Sequence, residues 1–162
     1  MITQFKIFEN IAEDYKIFMD ILRNHSLHGI EKYNLVEKYI EDGRDIEALD
    51  NDTTILMSAV SYGESVIVKK LIDAGADVNN GTEWSNPLMR FGESFYKYND
   101  LEMLKILLDA DAKIITNGIG NNFITELHDD FYEKEVLYYM KTKFPEKYKE
   151  YMKMIQVKKF KI

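Results

Sequence analysis

The stretch VIVKKLIDAGADVNN, residues 66–80, constrains this chain more than any other part of it. Val66, Ile67, Leu71 and Ile72 recur near helical spacing with Val68 beside them, while Lys69, Lys70 and Asp73 interleave, which predicts an amphipathic helix. Gly75 follows where a left-handed residue closes a helix, because glycine lacks the Cβ that makes that conformation costly. The same punctuation recurs. NLVEKYIEDGRDIE aligns with VIVKKLIDAGADVN and sets Gly43 32 positions before Gly75, and DLEMLKILLDADAKII places Asp111 36 positions after it, where glycine is expected. Upstream, DTTILMSAVSYGES puts Thr53 or Thr54 where a hydroxyl caps a first helix, then Leu56, Ala59 and Val60 on one face and Gly63 at the break. The unit is therefore helix, tight turn, helix, loop. A helix pair this short has an apolar face too small to bury alone, so copies must stack and their shared interface must serve as the core.

Size and composition agree with a single stack. A chain of 162 residues, 46% hydrophobic, has the length for one domain or a few repeats, and two prolines and eight glycines leave no room for a long linker. With no cysteine there is no disulfide, thiolate zinc site or cysteine nucleophile, which fits a reducing compartment. The opening MITQFKIFENIAEDYKIF carries acids where a signal peptide has its apolar core, and no run approaches the roughly 18 apolar residues of a membrane span. A soluble, cytoplasmic chain without membrane insertion is expected. The net charge of −7 hides a division: residues 141–162 hold eight lysines against two glutamates, leaving 13 basic against 26 acidic residues in 1–140. An acidic body repels phosphate backbones and attracts cationic partners, so no nucleic acid is expected as its ligand.

The segment TILMSAVSYGESVIVKKLIDAGADVNN resembles an ankyrin repeat. Thr54, Leu56, Ala59, Gly63, Ile67, Val68, Leu71, Gly75, Ala76, Asp77, Val78 and Asn79 match that family's pattern, and Ile55 and Met57 depart from it where Pro and His are usual. Asn86, Pro87, Leu88 and Met89 repeat the Thr-Pro-Leu-His opening, and the spacings bracket the family's period of about 33 residues. The resemblance implies an all-α ankyrin-repeat solenoid of three to four helix-turn-helix repeats with atypical N- and C-terminal capping helices, of the short, solitary type found in bacteria or viruses. Its expected divisions are an N-terminal cap or degenerate repeat at 1–29, the end of a first repeat at 30–49, the best-matching repeat at 50–80, a repeat with an insertion at 81–116, a degenerate repeat at 117–143 and a basic C-terminal helix at 144–162. In that helix Tyr148, Tyr151, Met152 and Ile155 fall on one side and lysines on the other, which reads as a cap packed on the last repeat.

Chemistry finds little support. His25 and His28 are three apart and His128 lies far away, whereas a metal needs at least three convergent ligands; neither a zinc pattern nor a triad follows. NGIGNN, residues 117–122, lacks the Lys-Ser or Lys-Thr of a phosphate loop and reads as a loop into the last repeat. LDNDTT is short for a calcium loop of roughly twelve residues and reads as a turn with a helix cap. No cofactor, metal or catalytic residue is expected.

The working surface implied by the resemblance is the concave face, made of loop tips and the exposed side of first helices. On this chain those positions are Asp50, Asn51, Asp52 and Thr53 in one tip, Asn80, Thr82, Glu83 and Trp84 in the next, and Ser61, Tyr62, Arg90, Glu93 and Ser94 on the helices. Trp84, the single tryptophan, either anchors a partner or packs locally, and Phe95, Tyr96 and Tyr98 of ESFYKYND either contact a partner or form one more helical turn with aromatics inside. The expected function is non-enzymatic: a protein-binding module, monomeric when free, that takes a basic protein partner on an acidic concave face, an immunity or inhibitor protein being one form of this. The alternative is a nucleic-acid or anionic-membrane adaptor working through the basic C-terminal helix; a hydrolase using His128, Asp129 and Asp130 is the remote third.

Overall fold

The computed structural model describes residues 2–82, 84–117, 119–127 and 129–159, with side chains described from Ile11 to Gln156 apart from Tyr96. The helices α1 (Ile2–Arg23), α2 (Ile30–Glu41), α3 (Ile55–Ser61), α4 (Ser65–Asp73), α5 (Pro87–Tyr98) and α6 (Leu101–Asp109) form three successive pairs. A short 3-10 turn, Thr125–Leu127, and α7 (Asp130–Lys143) follow, and α8 (Pro145–Lys159) lies against α7. A front row runs α1, α3, α5 and the 3-10 turn; a back row runs α2, α4, α6. This is an all-α solenoid, and its only strands among the described residues are β1 (Leu49–Asp50) and β2 (Thr53–Thr54).

The repeated stop has one geometry. Gly43, Gly75 and Asp111 have φ of 69°, 104° and 63°, the left-handed region that ends each back-row helix. Each N–H bonds back to the carbonyl of Ile40, Ile72 or Leu108, and the next residue's N–H reaches Tyr39, Leu71 or Leu107. Asp111 holds this conformation without glycine's freedom, and Lys147 of α8 meets its carboxylate at 2.7 Å. Eleven residues after each stop stand Thr54, Asn86 and Asn122, all buried; each accepts a backbone N–H at the start of a front-row element, from Met57, Met89 and Ile124. The four residues by which the third unit exceeds the second lie in α5, which runs 12 residues against seven in α3. The longer stretch between helices is thus one more helical turn with Phe95 inside and Tyr98 half exposed.

Stacking follows from equivalent positions. Val36, Val68 and Leu104 are fully buried along the back row, as are Leu71 and Leu107, and burial of one such side chain is worth about 2 kcal/mol. At the position of Leu71 and Leu107 the first unit carries Tyr39, whose ring meets Phe18 edge-on and whose hydroxyl donates to the carbonyl of Asp45 at 2.7 Å. Burial, reinforced by the Asp14 and Asp45 carboxylates, pushes the Tyr39 phenol well above its ordinary value. A raised value means the fold favours the neutral phenol, so its contribution is whole below about pH 10, the unfolded value, and is lost as pH rises through the folded one. Tyr39→Phe should cost about 1 kcal/mol near neutrality and flatten the alkaline fall in stability, measurable by denaturant titrations from neutral to strongly alkaline pH. An unchanged alkaline slope would assign that fall to other groups.

At the C-terminal end Tyr151 is buried, and Tyr148, Met152 and Ile155 pack against the core. α8 therefore caps the stack.

Candidate partner-binding surface

Three projections line one edge of the front row. The first is the two-stranded hairpin, in which Leu49 pairs with Thr54 and Asp50 with Thr53; Asn51 and Asp52 at its tip both have positive φ, as a two-residue primed turn requires. In the second, Thr82 and Ser85 exchange backbone hydrogen bonds at 2.8 and 3.3 Å, while the Thr82 hydroxyl accepts from the N–H groups of Trp84 and Ser85. In the third, the N–H of Asn117 donates to the carbonyl of Asn121, and the Asn117 amide oxygen accepts from Ile119 and Asn121.

A ladder of side chains sets the loops behind these fingers in register. The Asp14 carboxylate accepts the N–H of Asp45 at 2.9 Å, that of Glu47 the N–H of Asp77 at 2.6 Å, and the Asn79 amide oxygen the N–H of Lys113 at 2.8 Å. Glu47 also holds the Asn80 amide at 2.5 Å. The loop after α2 is thereby bonded to α1, the loop after α4 to the one after α2, and the loop after α6 to the one after α4. Glu47 stands 32 positions before Asn79, so the closing Asn of the Gly-Ala-Asp-Val-Asn motif held the signal that would have identified it.

Asp50, Asn51, Asp52 and Thr82 are exposed, and Thr53, Ser61, Tyr62, Asn80, Arg90 and Glu93 are half-buried. Arg90 pairs with Glu93 at 2.9 Å and reaches the Thr53 hydroxyl at 3.5 Å, joining α5 to the first finger. The Tyr62 hydroxyl accepts from Arg23 of α1 at 3.4 Å. Ser94 does not belong to this surface: it is 7% exposed, and its hydroxyl donates to the Arg90 carbonyl one turn back at 2.7 Å. The extra turn of α5 carries it under its neighbours. Glu83 and His128 lie outside the described residues, while Asp129 accepts the N–H of Phe131 at the start of α7. The described charges of the face are mixed, with Asp50 and Asp52 acidic at the first finger and Arg90 balanced by Glu93.

Trp84 is 51% exposed at the second finger, and Ile119 is 73% exposed at the third. Ile119 was not among the expected residues. An apolar residue between two glycines, in NGIGNN, was the available sign. No group of described side chains could hold a metal ion, and no described helix is long and apolar enough to cross a membrane.

Comparison with known proteins agrees with this geometry. The ankyrin-repeat family model matches residues 51–83, which begin in the first fingertip and end in the second. No curated protein matches the chain. The matched span is one unit of the stack, and the units on either side reproduce its stops and its buried positions. The chain carries an ankyrin repeat at residues 51–83, set within a stack of helix pairs.

Proposed function

We propose that this protein binds a protein partner on the front face, with Trp84 and Ile119 as apolar anchors and Asp50 and Asp52 drawing in a basic flank. The observation that carries the reading is the exposure of two large apolar side chains on adjacent fingers held by the ladder. Aromatic anchors dominate binding energy when their surroundings exclude water, and a pre-set loop loses little entropy on docking. Charged residues at the rim mainly govern encounter.

The test begins with a partner recovered by crosslinking in the native host and purified. Trp84→Ala should weaken its affinity by about 2 kcal/mol or more, and reversing Asp50 and Asp52 should slow association and flatten its salt dependence. Circular dichroism should stay unchanged for both. Full affinity in both variants would move the binding surface elsewhere.

A further inference from the structure

The edge away from the fingers has a gap in one place and a plug in the equivalent place one unit on. Glu64 and Ile67, at the start of α4, stand 36 positions before Asp100 and Met103 at the start of α6. Between Gly63 and the Asp100–Met103 turn lies the Tyr98 ring, so close that a Cβ built at Gly63 would stand 2.6 Å from it, and the space left there is about 10 Å³. Tyr98 belongs to the extra turn of α5. The second unit has no such turn, and between Gly29, Ile30 and Tyr33 of the first unit and Gly63–Ile67 a cleft of about 500 Å³ stays open.

We propose that this cleft receives the ring of a tyrosine presented by a partner protein, taking the place that Tyr98 takes one unit on. Its volume falls within the range of ligand sites, which is about 300–1,000 Å³. It is continuous with the buried interface between units, since Ile67, which lines it, is itself a core residue. Ile30 and Val66 flank it at 68% and 63% exposure, apolar side chains that the stack does not use. Glu64 supplies the polar contact: its carboxylate accepts from Lys32 at 2.7 Å and has further lone pairs for a phenol hydroxyl. The site lies on neither the fingers nor the front row, so it does not depend on the reading of the front face.

N-acetyl-tyrosinamide titrated into the full-length protein, followed by amide chemical shifts, should give saturable changes at residues 29–33 and 63–67, and N-acetyl-leucinamide should bind more weakly. Val66→Glu should weaken the tyrosine probe by about tenfold or more, without a change in melting temperature because Val66 is already exposed. Trp84→Ala should leave the titration unchanged, which separates this site from the front face. Three results would overturn the assignment: no saturation at the cleft, equal binding of the leucine probe, or shifts of the same amides with protein concentration alone, which would give the cleft to a second copy of the chain.

Discussion

Leu71→Lys should abolish the native fold near physiological temperature. Leu71 is fully buried in the back row, and the substitution places a charge among apolar side chains, with no carboxylate among the buried described residues. Lost burial and an unpaired buried cation together cost about 4 kcal/mol or more, against a total stability of about 5–15 kcal/mol for a domain of this size. Because α4 stacks on both α2 and α6, the loss should be felt on both sides and the helical signal should fall in one cooperative transition. A variant that melts like the wild type, or loses only a local part of its helix, would show that the units do not share one core.

Gly92→Ala sets two expectations against each other. Gly92 lies inside α5, and by intrinsic propensity alone alanine there should stabilise the helix by about 1 kcal/mol. Packing gives the opposite sign. A Cβ at residue 92 would stand 2.2 Å from the Phe123 carbonyl oxygen and 3.0 Å from the Glu126 Cβ, and backbone is in the way rather than a movable side-chain end. The 3-10 turn must then lift from α5, parting the Phe91–Phe123 contact and loosening α7 behind it. A net loss of about 2 kcal/mol or more is expected, with faster hydrogen exchange across residues 123–140 than across α3 and α4. A higher melting temperature would show that α5 and the turn do not approach this closely in solution.

These two sites differ in how far the sequence announced them. Leu71 stood in a helical pattern closed by Gly75, and that pattern alone placed it in an interface. The stops at Gly43, Gly75 and Asp111 were legible for the same reason: a backbone that must turn left-handed narrows the choice of residue, and position survives even where aspartate replaces glycine. Gly92 gave no such sign, because FGES carries no record of a carbonyl arriving from residue 123. The candidate face was read in part. Asp50 and Asp52 follow from turn chemistry, but Ser94 looks like any polar helix residue until the length of α5 is known, and Ile119 looks like core until the third finger is seen to turn around it. Glu47 and Asp14 were missed because their role is to accept backbone N–H groups about thirty residues away, and such bonds leave no local pattern.

The ladder has a bearing on how the chain reaches its fold. Its rungs join Asp14 to Asp45, Glu47 to Asp77 and Asn79 to Lys113, sequence separations of 31, 30 and 34, and none requires distant parts of the chain to meet. Loop-closure entropy grows slowly with such lengths and is met in similar instalments each time. Ordering can thus begin at the pair α3 and α4 and spread outward in both directions, each new pair docking on a surface already formed. The same arithmetic makes the stack extensible: a further unit inserted between Asp50 and Thr82, with its own Asn at the closing position, would lengthen the row by one finger, splitting the Glu47–Asp77 rung into two and leaving the Asp14–Asp45 and Asn79–Lys113 rungs as they are.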